Sequence, residues 1–313
     1  MIFWKTLEAV AVFIALGLVG FMLLARKAIA KEALSTLSFL SLDLAVPALV
    51  FHDMMVLFNP VAMPYWWVSP LVWLGSFVVL VILARVSVLF FPAESRKEVF
   101  VSLVYPNAIF IPLILLPALF PERKEITVEL FLFTMLFSFF LFQGFGLFYG
   151  SRRKIIFQWK KLFPPLVVIL IVSLVIQYAG LQPWVPGIAI DVARRLGALS
   201  VPLLLFVLGG NVYIDREVSH KQSFSVVLAF VVVKNILFPL VHLFLVFWLP
   251  VSATLKFLVF LQSALPPVTA LPVLVEREGG NRSLVQALFL WSVVALVVTL
   301  PVWVWVYESI YGL

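Results

Sequence analysis

Cysteine is absent from the 313-residue chain, which excludes disulfides, thiolate metal sites and a cysteine nucleophile and leaves the redox compartment open. Charge is scarce as well. Asp, Glu, Lys and Arg make up 12% of the residues, roughly half the share of a soluble domain. Histidine occurs three times, with no His-Glu-x-x-His, no second aspartate to face Asp43 and no nucleotide-binding motif. Metal-assisted hydrolysis, an aspartate-pair mechanism and direct use of ATP within this chain therefore have no residues to rest on. What the chain has in excess is apolar surface: 64% hydrophobic residues, 31 phenylalanines and a mean hydropathy of +1.16. No water-soluble globule carries so much, and the sequence reads as an all-α polytopic membrane protein. Its formal charge of +7 comes from Lys and Arg in short loops between apolar runs. There they set topology and meet anionic lipid, so the bilayer and not nucleic acid is the expected partner.

A spanning helix needs about 20 apolar residues, and by that measure ten spans are expected, near 6–25, 33–52, 66–91, 98–119, 126–149, 162–180, 188–210, 223–248, 253–275 and 283–306. Ala28-Ile29-Ala30 imitates a signal-peptidase site, but Arg26 and Lys27 stand on the wrong flank for a cleaved signal, so the first span is expected to be retained. Ten spans put both termini on one side. The odd-numbered connections hold fifteen Lys and Arg, five of them in the central loop (Arg152, Arg153, Lys154, Lys160, Lys161), against Lys5, Arg123, Lys124 and Lys256 on the other side. The positive-inside rule then places both termini away from the cytoplasm, in a cell (inner) membrane. Trp4, Trp66, Trp67, Trp184, Trp248, Trp303 and Trp305 all fall near the outer face, as an interfacial aromatic belt does.

Two stretches organise the rest: Tyr105-Pro106-Asn107-Ala108-Ile109-Phe110-Ile111-Pro112 and Leu265-Pro266-Pro267-Val268-Thr269-Ala270-Leu271-Pro272. Each carries prolines six residues apart inside an apolar run. Proline removes a backbone donor and clashes with the carbonyl four residues back, so both helices should break within the membrane. Broken helices are tolerated there only where protein or a wet cavity receives the freed groups, which points to a ligand site between them. The halves also repeat. Val46-Pro47-Ala48-Leu49-Val50-Phe51 matches Val201-Pro202-Leu203-Leu204-Leu205-Phe206 at an offset of 155, the paired prolines match at 160, and Leu130-Phe131-Leu132 matches Leu288-Phe289-Leu290 at 158. Five spans per repeat is odd, so the second copy, 156–313, is expected upside down relative to the first, 1–155.

With Asp43-Leu44-Ala45-Val46-Pro47-Ala48-Leu49-Val50-Phe51-His52 after a basic end to the first span, then Asn107 beside a break, the chain resembles the auxin efflux carrier (PIN-like) family. The second half agrees, in Ser200-Val201-Pro202-Leu203, Leu208-Gly209-Gly210, Ala264-Leu265-Pro266-Pro267, Glu276-Arg277 and Gly279-Gly280. The resemblance implies the fold of the bile acid/arsenite/riboflavin transporter superfamily: spans 1, 2, 6 and 7 as scaffold, spans 3–5 and 8–10 as transport domain. It further implies broken helices 4 and 9 crossing at the substrate, an elevator-type movement and a homodimer. Members of the family often carry an Asn after the ninth-span prolines, where this chain has Ala270 preceded by Thr269.

The candidate substrate-binding residues are thus Pro106, Asn107, Pro266, Pro267 and Thr269. Asn107 offers an amide donor and a carbonyl acceptor, or else only satisfies backbone freed by the break. The prolines act through half-helix N-termini, whose partial positive charge and open N–H groups suit a carboxylate. Thr269 supplies a hydroxyl, or bonds back into its own helix. Asp43, four residues before Pro47, is a coupling carboxylate or a neutral hydrogen-bonding group. Lys234 holds an anionic substrate or, the favoured reading, pairs internally with a carboxylate such as Asp43. His52, His242, Arg194 and Arg195 read as packed or interfacial residues before sensors or anion attractors. The expectation is a secondary transporter of a small organic anion or weak acid, auxin-like or another carboxylate, driven by a gradient of H+ or Na+ or of substrate alone and using no cofactor. A channel-like facilitator and an intramembrane enzyme are the alternatives.

Overall fold

The computed structural model describes residues 2–149, 164–219 and 223–312, so the central basic loop lies outside the described residues. Among the described residues the chain is helical without strands. In chain order the helices are α1 (Ile2–Ala25), α2 (Ala33–Val56), α3 (Val68–Phe90), α4 (Arg96–Val104), α5 (Phe110–Leu119) and α6 (Ile126–Gly144). There follow α7 (Pro165–Tyr178), α8 (Gly187–Gly197), α9 (Ser200–Ser219), α10 (Phe224–Phe247), α11 (Ala253–Ala264), α12 (Leu271–Arg277) and α13 (Arg282–Tyr311).

Seven helical stretches among the described residues are long and apolar enough to cross a membrane: α1, α2, α3, α6, α8 with α9, α10 and α13. The runs expected at 98–119 and 253–275 are each two half-helices, α4 with α5 and α11 with α12, separated where the prolines stand. Within the run expected at 162–180, α7 covers 14 residues, about 21 Å at 1.5 Å per residue and short of a 30 Å hydrocarbon core. The starts of α11 and α13 are fixed by side chains, because Ser252 Oγ accepts from Leu255 N at 3.3 Å and Asn281 Oδ1 from Leu284 N at 3.0 Å, each satisfying a donor the helix leaves open.

Packing sorts the helices into two groups. In one, α1 lies along α9, and α2 along α7 and α8. Glycine makes the first seam: a Cβ on Gly209 would overlap the carbonyl of Gly17, and one on Gly20 the backbone of Phe206. Small residues let membrane helices approach this closely. In the other group α3 packs on α4 and α6, α10 on α11, and α13 on α4, α10, α11 and α12. The groups meet where α1 runs beside α5 and α13, and where α2 touches α6. Among the described residues three helices contain a π turn, at Leu40–Ala45, Phe140–Gly144 and Val233–Leu237. The turn in α10 precedes Pro239, which cannot donate to the Asn235 carbonyl, and Trp303 Nε1 supplies that bond at 2.8 Å. Trp4, Trp67, Trp184, Trp248 and Trp305 are exposed on the surface, as rings at a lipid interface are.

Candidate functional site

The two breaks meet. Leu265 is extended (φ −85°, ψ 147°) and Tyr105 lies outside the helical region (φ −107°, ψ 85°), and each precedes a proline, which disfavours the helical conformation for the residue before it. Pro112 and Pro272 fall in the first turns of α5 and α12, where a missing N–H costs no helical bond. The earlier proline of each pair thus marks the end of one half-helix and the later one the start of the next. Between them the two strands of backbone pair as a short antiparallel bridge centred on Pro106 and Pro267. Asn107 N–H donates to Pro266 O and Val268 N–H to Tyr105 O, both at 2.8 Å. Inside hydrocarbon an unpaired peptide group costs several kcal/mol, and here each interrupted helix satisfies the other.

That pairing corrects one expectation. The N–H groups of Asn107 and Val268 are engaged across the crossing and not open to a carboxylate, and Phe110 N–H is taken by Asn107 Oδ1 at 3.3 Å. Asn107 therefore does cap its own half-helix. Its amide nitrogen makes no hydrogen bond in the structure, although the residue is 2% exposed. Thr269 and Ala270 keep their N–H groups without a protein acceptor, and the Thr269 hydroxyl does not bond back into its helix.

Two cavities flank the crossing and share Leu42, Asn107, Phe110, Phe142, Thr269 and Ala270. One, about 310 Å3, extends to α1, α9 and α12, where Phe13, Leu205, Asn211 and Arg277 line it. The other, about 300 Å3, extends to Asp43, Ser138, Pro165 and Val268. Together they form a two-lobed, mostly apolar cleft between the two helix groups, with a few polar groups converging on residues 107 and 269, the pattern of a small-molecule site.

Of the predicted site residues, Asn107, Thr269 and Asp43 line this cleft, and Pro106, Pro266 and Pro267 form the crossing beside it. Lys234 does not line it. Fully buried in the π turn of α10, its Nζ reaches Leu103 O at 3.4 Å and lies 5.2 Å from the Phe238 ring centre. The favoured Asp43–Lys234 pair does not form, because Asp43 stands on the exposed, cleft-lining face of its own π turn while Lys234 is enclosed against α4. Lys234 instead sets its charge against the C-terminal end of α4, where a helix presents carbonyls. Three of the remaining basic candidates are engaged locally: Arg194 with Asp191 at 3.3 Å, His52 Nδ1 with Asp53 Oδ1 at 2.9 Å, and His242 Nδ1 with Phe238 O at 2.9 Å, while Arg195 is exposed.

The sequence reading passed over several polar groups that the fold makes prominent. Ser38, Asn211 and Arg277 line the cleft. Asp53, 6% exposed, joins the two helix groups by accepting from the Thr127 hydroxyl at 2.8 Å. Ser102 Oγ and Gln262 Nε2 are buried without a partner, each four residues ahead of a break. Their offset of 160, the same as that of the prolines, was the available signal. Glu98, buried on α4, accepts from Tyr149 Oη at 2.8 Å and Asn281 N at 3.0 Å, so one carboxylate ties the start of α4 to the start of α13.

Broken apolar helices thus cross beside a cleft between two helix groups in a multi-pass membrane protein. The family model for membrane transport proteins matches the chain over residues 5–155 and again over 151–304, and the chain belongs to that family, the auxin efflux carrier or PIN-like group. Among curated proteins it is similar to Protein PIN-LIKES 7 of Arabidopsis thaliana, 26% identical over 126 residues, covering 38% of this chain and 32% of that protein. Protein PIN-LIKES 1 of the same organism is 26% identical over 160 residues, 46% of this chain and 33% of that protein. The matched part of this chain thus spans about a third of the length of these curated relatives.

Proposed function

We propose that the protein is a secondary transporter of a small organic anion or weak acid, held at the crossing of the two broken helices and carried by an elevator-type movement. On this reading α1, α2, α7, α8 and α9 are the scaffold, and α3 to α6 with α10 to α13 the transport domain. The chain crosses the membrane ten times as two inverted five-span repeats, both termini face away from the cytoplasm of a cell (inner) membrane, and two copies pair through the scaffold. The observation that carries the proposal is the cleft itself. It lies between the two helix groups, so sliding one past the other would move its contents, and it holds polar groups with no protein partner at Asn107 and Thr269.

The mutual pairing of the breaks matters to that movement. Because Asn107 and Val268 bond to the opposite arm, the crossing travels as one unit and these two peptide groups stay satisfied at every depth in the bilayer. Asp43 lines the cleft from the scaffold side and on this reading is the coupling carboxylate, with H+ as coupling ion and Na+ or substrate gradient alone as the readings to be tested against it. Purified protein in liposomes is offered labelled benzoate, phenylacetate and indole-3-acetate at two pH values, with and without sodium. Saturable uptake that Asn107→Ala abolishes is the expected outcome. Uptake that rises linearly with concentration would indicate a pore, and no uptake of any carboxylate would remove the proposal.

A further inference from the structure

We infer that Ser38, Asn211 and Arg277 form an anion-recognition site in the lobe of the cleft bounded by α1, α9 and α12, and that Arg277 sets the preference for a carboxylate over a neutral molecule of the same shape. The inference rests on the transporter reading and adds to it the group that reads charge. The expected sources of positive charge are reduced by the packing to the N–H groups of Thr269 and Ala270. Lys234 lies outside the cleft, and the N–H groups of Asn107, Val268 and Phe110 are engaged.

Among the described residues lining either lobe, Arg277 is the one cationic side chain. Among the described residues it makes no ion pair or hydrogen bond, whereas Arg123, Arg194 and Arg282 pair with acids and Arg96 with the carbonyls of Leu89 and Phe91. Of the two acids next to it in sequence, Glu276 accepts from Arg282 at 2.7 Å, and Glu278 is engaged as well. Ser38 on α2 and Asn211 on α9 face the same lobe and also lack any hydrogen-bond partner. Helix serines ordinarily bond back to a carbonyl one turn earlier, as Thr299 does to Ala295 in α13, so the unused Ser38 hydroxyl is notable.

Four unengaged polar side chains, Ser38, Asn211, Thr269 and Arg277, therefore surround one cavity of about 310 Å3. At roughly 30 Å3 per water that is room for about ten waters or a small aromatic acid. A guanidinium offers a planar fork that matches a carboxylate and not an amide or ester. Phe13, Phe110, Phe142 and Leu205 supply the apolar wall for the body of the molecule. Arg277 and Thr269 lie on one of the two helix groups and Ser38 and Asn211 on the other, so closure of the lobe on an anion would engage both.

The test measures binding of phenylacetate and of neutral phenylacetamide to the purified full chain by calorimetry, at low and high KCl, for wild type, Arg277→Gln and Arg277→Lys. Melting temperatures without ligand check that each variant is folded. The expected result is a preference of about tenfold or more for the acid in wild type, its loss in Arg277→Gln through weaker binding of the acid alone, partial recovery in Arg277→Lys, and a smaller preference at high salt because Arg277 is exposed. An unchanged preference in folded Arg277→Gln would overturn the inference and leave the transporter reading standing, with charge read elsewhere. Failure of wild type to bind the acid better than the amide would overturn both the inference and the assignment of an anionic substrate.

Discussion

Backbone meets backbone at two places in this molecule, the α1–α9 seam and the crossing of α4–α5 with α11–α12, and the means are opposite. At the seam the helices stay intact and the side chains are missing: Gly17, Gly20 and Gly209 let the chains touch. At the crossing the side chains remain and the helices are missing, and the freed peptide groups of Asn107 and Val268 bond to the opposite arm. Bare helical backbone offers a ligand no free donor, so the seam can only be a fixed joint. Interrupted backbone must satisfy some groups internally and leaves others, on Thr269 and Ala270, facing a cavity. Stability should concentrate in the first region and function in the second.

The comparison breaks most visibly at Gly209. Gly209→Leu inserts a side chain where a Cβ already overlaps Gly17, and overpacking of that kind costs about 3 kcal/mol. Thermal unfolding in detergent should show a large loss of stability, and a wild-type melting temperature would mean the seam is not packed as described. Next in size is Asn107, whose two roles can be separated. Asn107→Ser keeps an N-cap acceptor for α5 and removes the amide donor, so stability should hold while uptake falls about tenfold. Asn107→Ala loses the cap as well, at a further cost of about 1 kcal/mol. Equal uptake in Asn107→Ser and wild type would reduce Asn107 to a capping residue.

Asp43→Asn should leave substrate binding near wild type and remove the stimulation of uptake by a proton gradient imposed across the liposome membrane. Retained stimulation would move proton coupling away from the scaffold carboxylate. Smallest is Thr269→Val, an isosteric change at a hydroxyl that bonds to nothing in the protein. Unfolding should be unaffected and the apparent affinity should weaken about threefold, one neutral hydrogen bond's worth, with Thr269→Ser restoring it.

What could be read from the sequence was what local chemistry controls. Proline acts on its own helix, so Pro106 with Pro112 and Pro266 with Pro272 marked both interruptions, and apolar runs marked the long helices. Asn107 was legible for the same reason, as a polar group placed at a break. Pairing across long distances in the chain was not. Nothing local says that Asn107 N–H finds Pro266 O, that Gly209 rests on Gly17, or that Arg277, written at the end of an apolar run like any loop arginine, lines a cleft beside Asn211. Asp43 and Lys234 show the converse error. Opposite charges in two membrane helices invite pairing on energetic grounds, yet each fell on a face that the packing turned elsewhere.

The absence of cysteine makes the central claim directly measurable. Ala270→Cys places a single thiol in the chain, at the crossing and in both lobes of the cleft, and its rate of modification by a water-soluble thiol reagent in liposomes reports whether cargo occupies that place. The account predicts that the thiol reacts, and that a saturating concentration of the transported carboxylate slows the reaction severalfold. A rate indifferent to that acid, in protein that still transports it, would contradict the claim that the cargo sits where the two broken helices cross.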